Sequence, residues 1–90
     1  MENNWYVYVL RCRDDSLYTG IARNVDKRLA MHNRGTGAKY TRGRGPVELV
    51  YTQAYPDKSA ALRRELEIKA LPRQKKLELI GQKSRFYRQL

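Results

Sequence analysis

Apolar and polar positions near the start of the chain follow a period of two residues. Residues 5 to 11 (WYVYVLR) are β-branched and aromatic, DDS at 14 to 16 has turn composition, and residues 17 to 19 (LYT) resume the apolar pattern. In the first segment Tyr6 and Tyr8 share one face of the strand. The pattern predicts a hairpin with strands at 5 to 11 and 17 to 19.

The period then changes to that of a helix. Asn24 is a good N-cap for a helix over residues 25 to 33, which Gly35 and Gly37 end. Residues 35 to 46 (GTGAKYTRGRGP) have the composition of a glycine-rich basic loop.

The second half repeats the two periods. Residues 47 to 55 (VELVYTQAY) predict a third strand, residues 58 to 71 a helix, and residues 72 to 81 a last helix that begins at Pro72 and stops at Gly81. The order ββαβαα predicts an α+β domain, a small three-stranded, mainly antiparallel sheet flanked by helices. We place this single domain at residues 1 to 83 and a basic C-terminal tail at 84 to 90.

The charge of the chain points to a polyanionic partner. The 90 residues carry 19 Lys and Arg against 9 Asp and Glu, a formal net charge of +10 with a pI near 10.1. A field of that sign favours nucleic acid ahead of an acidic membrane surface. A solvated basic surface or a ribosome-associated protein is the alternative, and charge does not separate binding from cutting.

Cysteine content and the N-terminus exclude several classes. Cys12 is the only cysteine, which rules out an intramolecular disulfide and a cysteine-rich zinc site. The first apolar run is too short, and too soon followed by charge, for a signal peptide or a membrane span. We expect a cytoplasmic protein, with nucleoid association as an alternative, no membrane contact, and a monomer by assumption.

Polar side chains interrupt the apolar faces of two predicted helices. The apolar arc of the helix at 58 to 71 consists of Ala61, Leu62, Leu66 and Ile68. Glu65 falls in the middle of that arc, where an unpartnered charge is costly. An ion pair with Lys69, one turn on, explains it most simply; a ligand for Mg²⁺ or Mn²⁺ is the sharper alternative.

The helix at 25 to 33 has the same irregularity. Val25 and Leu29 define its inner face, His32 lies between them on the helical wheel, and Arg28 lies beside it. A lone histidine there is usually a satisfied core residue. The neighbouring Arg28 suggests phosphate chemistry, because guanidinium binds phosphate in a bidentate manner.

Tyrosine is abundant, with seven residues against one phenylalanine. Tyrosine in neighbouring strands is ordinarily sheet packing. Its hydroxyl also holds a water or, at lowered pKa, accepts a proton, and Tyr18 on the second strand lies within reach of the first.

Together these residues resemble the GIY-YIG nuclease superfamily. The resemblance rests on Tyr6-Val7-Tyr8, on Tyr18-Thr19-Gly20 ten residues later, and on Arg28, His32 and Glu65. The first triplet departs from the family pattern by Tyr6 for glycine and Val7 for isoleucine, and the second by Thr19 for isoleucine. Residues 37 to 50 (GAKYTRGRGPVELV) and 61 to 65 (ALRRE) are also similar to the catalytic domain of the eukaryotic structure-specific endonuclease subunit. The layout resembles the small stand-alone bacterial YhbQ-like (UPF0213) group still more.

The resemblance implies a role for each matched position. Tyr8 would be the general base, with Tyr6 as the alternative, and Tyr18 would hold the attacking water or the phosphate. Arg28 would stabilise charge on the phosphate, and His32 would fill a position where relatives carry histidine or tyrosine.

Glu65 would hold one divalent ion, Mg²⁺ or Mn²⁺, and Gly20 would permit close approach of backbone and substrate. Because an unperturbed phenol has a pKa near 10, we expect nearby cations, among Arg23, Arg28 and Lys39, to lower that of the base.

The basic loop completes the predicted surface. The predicted nucleic-acid-binding residues are Arg23, Lys39, Tyr40, Arg42 and Arg44. Tyr40 is suited to stack on an unpaired base, whereas a flexible solvated connection is the plainer interpretation of the loop.

The sequence therefore predicts a metal-dependent endonuclease of DNA repair or processing, with DNA favoured over RNA and structure or strand preference over base sequence. A non-catalytic nucleic-acid-binding accessory module on the same fold is the alternative.

Overall fold

The computed structural model describes the backbone of residues 4–89 and the side chains of residues 4–81. In chain order the elements are β1 (Trp5–Arg11), β2 (Leu17–Ala22), α1 (Val25–Asn33), a 3₁₀ turn (Lys39–Thr41), β3 (Glu48–Tyr55), α2 (Lys58–Ala70) and α3 (Arg73–Gln89). The predicted fold class and the order ββαβαα are confirmed.

The three strands form one antiparallel sheet in the order β2-β1-β3. The central strand β1 pairs Tyr8 with Gly20 on one side and with Thr52 on the other. The register shifts between Val9 and Leu10 where β1 meets β3. As the central strand, β1 is covered on both faces, and residues 7 to 10 are all buried.

Alternate residues of β1 feed two cores on opposite faces of the sheet. Val7 and Val9 pack in a cluster with Ala61 of α2 and Ile80 of α3. The other cluster contains Tyr8, Leu10, Cys12, Ala22 and Val47, with Tyr18, Val25, Leu29 and Leu49 packed against it. Helix α1 therefore lies on the Tyr8 face and the other two helices on the reverse face.

Two predicted boundaries differ from the structure by more than one residue. Strand β2 runs to Ala22 rather than residue 19, because the ladder with β1 continues through Gly20. Helix α3 does not stop at Gly81 but continues to Gln89; a glycine inside a helix weakens it without ending it when its φ stays helical. The predicted tail at 84 to 90 is thus largely helical in its backbone, residue 90 lies outside the described residues, and the domain boundary at 83 stays a prediction.

The predicted apolar arc of α2 is half wrong. Ala61 and Ile68 are fully buried, but Leu62 is 39% exposed and Leu66 is 65% exposed. The buried stripe runs through Ala61, Glu65 and Ile68, at the i, i+4 and i+7 spacing of a single helix face. Because only one face of α2 meets the sheet, the leucines beside that face point outward. Within the described part of the chain, no helix is long and apolar enough to cross a membrane.

Candidate active site

The hairpin brings Tyr8 and Tyr18 together on one face of the sheet. Tyr8 is 1% exposed, and its ring centroid lies 6.3 Å from that of Tyr18. The cross-strand partner of Tyr8 is Gly20, and a Cβ built there would lie 2.7 Å from the Tyr8 hydroxyl and 3.1 Å from Tyr18 Cε2. Gly20 is therefore the residue that lets the Tyr8 phenol lie across β2.

Helix α1 delivers His32 to that phenol. The helix starts at an Asn24 cap, whose side chain accepts a hydrogen bond from the Lys27 amide at 3.0 Å. His32 is 1% exposed, and its Nε2 lies 3.0 Å from the Tyr8 hydroxyl oxygen. Its ring centroid is 5.2 Å from that of Tyr18. The three aromatic side chains predicted for the site thus form one cluster, in which Tyr8 and His32 are buried and Tyr18 is partly buried.

The loop after α1 closes over the other side of His32. Its Nδ1 lies 2.7 Å from Thr41 Oγ1 and 3.3 Å from the Ala38 amide nitrogen. A Cβ at Gly37 would overlap the imidazole, so only glycine lets the chain pass there. Sequence reasoning missed Thr41, which is 1% exposed; the loop has no periodicity that would mark a buried position.

Burial dominates the acid–base properties of the Tyr8 and His32 pair. Desolvation raises the pKa of Tyr8 above its usual value, and a hydrogen bond and positive charge from Arg28 only partly oppose it. The expectation that nearby cations lower this pKa is therefore wrong for the free protein, and of the three candidates only Arg28 acts on Tyr8. Burial, and then the charge of Arg28, lower the pKa of His32, so its imidazole is neutral at pH 7.

Glu65 comes to the site from the opposite face of the sheet. Its side chain is only 14% exposed, and Oε2 lies 3.3 Å from Lys69 Nζ. The ion pair that explains this residue most simply is therefore present. The same carboxylate is close enough to Tyr8 for its charge to raise the pKa of that phenol slightly.

The residues around Glu65 fit a cation held mainly by other ligands. No group of three or more His, Cys, Asp and Glu side chains able to hold a metal occurs among the described residues. Mg²⁺ is commonly held by one or two carboxylates, with substrate phosphates and water as the other ligands. A single, largely buried carboxylate whose charge reaches Tyr8 suits that mode.

Two of the predicted nucleic-acid-binding residues make contacts inside the protein. The Tyr40 ring stacks on Tyr18 at 5.9 Å with an interplanar angle of 30°. Arg44 lies 4.5 Å above the Tyr40 ring and pairs with Asp14 at 2.6 Å. Lys39 and Arg42 are exposed on the same loop. The structure thus separates two exposed cations from two residues that hold the loop in place.

A second basic region adjoins the site. Arg28, Lys27 and Met31 of α1 line a groove with Trp5 and Arg23. Lys58 Nζ lies 5.3 Å from the centroid of the Trp5 ring. Tyr6 lies elsewhere, in a neighbouring groove with Arg23 and Thr52. Arg28 is therefore shared by the Tyr8 site and the Trp5 groove, whereas Tyr6 is outside both.

Comparison with known proteins shows which family the chain belongs to. Residues 4–78 match the family described as the GIY-YIG catalytic domain. UPF0213 protein OB0043 from Oceanobacillus iheyensis is 56% identical over 89% of this chain and 93% of its own, and UPF0213 protein CPE1444 from Clostridium perfringens is 57% identical over 88% and 85%.

Solved structures agree. The solution structure of UPF0213 protein BH0048 from Bacillus halodurans is 54% identical, with a TM-score of 0.57 over 87% of this chain and 83% of that one. That of EF2693 from E. faecalis is 40% identical, with a TM-score of 0.61 over 91% and 90%. Since the domain spans most of the chain and these relatives match it along nearly their whole length, the chain belongs to the UPF0213 group of the GIY-YIG family.

Proposed function

We propose that this protein is a divalent-metal-dependent nuclease that hydrolyses phosphodiester bonds of nucleic acid. The observation that carries the proposal is the buried Tyr8 phenol, which is hydrogen-bonded to His32 and lies within the electrostatic reach of Arg28 and Glu65. A phenol, a neutral imidazole, a guanidinium and a carboxylate together supply a base, its orienting partner, a phosphate ligand and a cation ligand.

Each side chain has a defined task in this reaction. Tyr8 acts as a base only after its own proton has left to solvent; the phenolate oxygen then takes a proton from the attacking water. The Arg28 guanidinium binds the phosphate and stabilises the charge that develops on it. Tyr18 lies beside Tyr8 and holds the water or a phosphate oxygen. Glu65 holds the divalent cation, which when bound polarises the phosphate and stabilises the leaving oxygen.

Tyr8 is favoured over Tyr6 as the base by its surroundings. Tyr8 contacts His32 and feels the charge of Arg28, whereas Tyr6 lies in the groove with Arg23 and Thr52. A base needs a partner that stabilises its charged form, and His32 and Arg28 are such partners for Tyr8.

The substrate path follows the exposed cations. Lys39 and Arg42 lie on the loop beside Tyr18, and Lys27 lies in the Trp5 groove that starts at Arg28. A strand whose scissile phosphate sits at Arg28 is in reach of cations on both sides. We propose DNA ahead of RNA, and unpaired or branched strands ahead of plain duplex, because the described cations around the site lie on a loop and along a groove.

One observation favours the non-catalytic alternative. In the free protein the pKa of Tyr8 is raised, and Glu65 is ion-paired with Lys69. This combination is expected of a site at rest and equally of a site that has no catalytic activity. A binding module would use Arg28 and the exposed cations for phosphate and leave Tyr8 as a core residue.

The deciding experiment is cleavage of end-labelled single-stranded, duplex, flap and four-way-junction DNA, with matched RNA, in Mg²⁺, Mn²⁺ and EDTA. Wild type is compared with Tyr8→Phe, Arg28→Ala and Glu65→Gln, and Tyr6→Phe is the matched control. Metal-dependent cutting that the first three variants lose by about 100-fold or more and the control keeps supports the nuclease. Retention of the same DNA in a gel shift, with no cutting in any metal, establishes the binding module instead.

A further inference from the structure

The imidazole of His32 is enclosed by donors and acceptors that settle which nitrogen carries its proton. Nε2 faces the Tyr8 hydroxyl at 3.0 Å. Nδ1 faces Thr41 Oγ1 at 2.7 Å and the Ala38 amide at 3.3 Å. A neutral imidazole has one N–H and one bare nitrogen, so these contacts distinguish two tautomers.

The backbone amide decides between them. The Ala38 N–H is only a donor, and it points at Nδ1, so Nδ1 must be bare to accept it. The Thr41 hydroxyl has a single proton and two acceptors in reach, Nδ1 at 2.7 Å and the Ala38 carbonyl at 3.0 Å. That carbonyl already accepts the Thr41 amide at 3.2 Å. With Nδ1 bare, the Thr41 hydroxyl and the Ala38 amide share its lone pair, the hydroxyl at the shorter distance, and both donors have an acceptor. A proton on Nδ1 would instead leave the Ala38 amide without an acceptor.

We propose that residues 37 to 41 hold His32 in the Nε2–H tautomer and that Thr41 is the positioning residue that does so. His32 then donates a hydrogen bond to the Tyr8 oxygen rather than accepting one from it. Gly37 makes the arrangement possible, because a side chain at that position would overlap the ring.

The tautomer has a consequence for Tyr8. As a donor, Nε2–H stabilises the phenolate, adding to the hydrogen bond and charge of Arg28 and opposing the effect of burial. It also directs the phenol proton away from His32, toward the open side of the site. In the other tautomer the Tyr8 hydroxyl would donate its hydrogen bond to the bare Nε2. The effect on rate rests on the proposed function; the tautomer itself does not.

The test uses the fact that His32 is the only histidine in the chain. Long-range ¹H–¹⁵N correlation spectra of uniformly labelled protein at pH 7 to 8 show the ring nitrogens of one residue and distinguish the tautomers directly. We expect a protonated Nε2 and a bare Nδ1. A protonated Nδ1 in the wild type overturns the inference, whatever the outcome of the cleavage assay.

Two variants test the part of Thr41. Thr41→Val keeps the shape and removes the hydroxyl donor, and we expect its His32 signals to show a mixture of tautomers; Thr41→Ser keeps the donor and should restore the wild-type pattern. Metal-dependent cleavage should fall about tenfold in Thr41→Val, as one unit in the pKa of Tyr8 implies, and recover in Thr41→Ser. A pure Nε2–H pattern in Thr41→Val means that Thr41 is not the positioning residue. If Thr41→Val does not fold, the wild-type spectrum and Thr41→Ser still decide the tautomer.

Discussion

Two glycines, Gly20 and Gly37, make room for the site, each for a different side chain. A Cβ at Gly20 would meet the Tyr8 hydroxyl at 2.7 Å, and one at Gly37 would overlap His32. Neither glycine has the positive φ that usually explains the residue; the glycines with positive φ are Gly35 and Gly43. The role of Gly20 and Gly37 is therefore steric. Gly20 on β2 leaves space for the phenol, and Gly37 on the loop leaves space for the imidazole.

Gly20→Ala should displace Tyr8 or strain β2. We expect a loss of about 1–3 kcal/mol in the free energy of unfolding, together with loss of cleavage, measured by urea denaturation and the assay above. Gly81→Ala is the matched control, because no atom of the described side chains lies within 4 Å of a Cβ at its position and it sits inside α3. That variant should gain up to about 1 kcal/mol. Equal stability of the two variants would contradict the close packing of Tyr8 on β2.

The buried, neutral His32 makes stability depend on pH. Burial and Arg28 lower its pKa in the folded protein, so below the ordinary value near 6.5 the unfolded chain binds a proton that the folded chain does not. Stability from this residue is complete above that value and is lost as the pH falls below it, by at most about 1.4 kcal/mol per pH unit.

Urea denaturation at pH 7.5 and pH 5.5 measures this dependence. The comparison variant is His32→Gln, which has no ionisable ring. The fall between the two pH values should be smaller in the variant than in the wild type. The same fall in both proteins would show that other groups cause it.

The loop at 35 to 46 is held in its middle and at its end by specific contacts. In its middle it closes on His32 through Thr41. At its end the Arg44 carbonyl accepts the Arg13 amide at 2.9 Å, and the Arg44 side chain pairs with Asp14. The Val47 amide donates to Asn33 Oδ1 at 2.8 Å. The plainer interpretation from sequence, a flexible connection, is therefore wrong, although the loop is basic and partly exposed.

The cations of this loop should divide into two groups when they are replaced. Lys39→Ala and Arg42→Ala should weaken binding of a labelled single-stranded oligonucleotide and each lower the slope of log K against log salt by about 0.7. Arg44→Ala should instead loosen the loop, because it removes the contacts with Asp14 and Tyr40. Fluorescence anisotropy over a salt series gives the slopes, and limited proteolysis after Arg42 or Lys39 reports the loosening. Identical slopes for all three variants would contradict the division.

Helix α2 buries only part of its apolar residues, because a single face of the helix meets the sheet. Leu66→Gln changes a side chain that is 65% exposed and should alter stability by no more than about 0.5 kcal/mol. Ile68→Ala empties a fully buried position and should cost about 2–5 kcal/mol. Chemical denaturation of both variants gives the comparison. If Leu66→Gln lowered the free energy of unfolding as much as Ile68→Ala, Leu66 would be buried, as the arc predicted from sequence requires.

Both faces of the sheet contribute side chains to the site, and several of the molecule's cations lie around it. The net charge is +10, and the cations nearest to Tyr8 and Tyr18 come from the turn before α1, from α1 itself and from the loop. His32 and Arg28 approach from one face, whereas Glu65 belongs to the helix on the other. The sheet is thus the frame of the site as well as the frame of the core.

Binding of nucleic acid should be dominated by this charge. If four cations each neutralise a phosphate of a single strand, affinity should fall about 50-fold between 50 and 200 mM salt. Trp5, the only tryptophan, lies in the groove beside Arg28. Its intrinsic fluorescence should therefore change as the oligonucleotide binds. A Trp5 signal that stays constant while anisotropy rises would remove the Trp5 groove from the substrate path.

The elements and the family membership were readable in the sequence, because they depend on local rules and on a motif with fixed spacing. The alternation in β1, the Asn24 cap of α1 and the triplets at 6–8 and 18–20 predict the hairpin, the first helix and the nuclease-like site. The strand alternation and the helix cap do not depend on how the side chains pack, since they are set by neighbouring residues along the chain.

The arrangement of the site depended on contacts between residues far apart in the chain. Burial raises the pKa of Tyr8, Lys69 pairs with Glu65, and Thr41 reaches His32 from a loop without periodicity. The exposure of Leu62 and Leu66 likewise follows from which single face of α2 meets the sheet. These pKa shifts, contacts and exposures depend on desolvation and on which groups lie together in the interior. Both are defined only once the chain has folded.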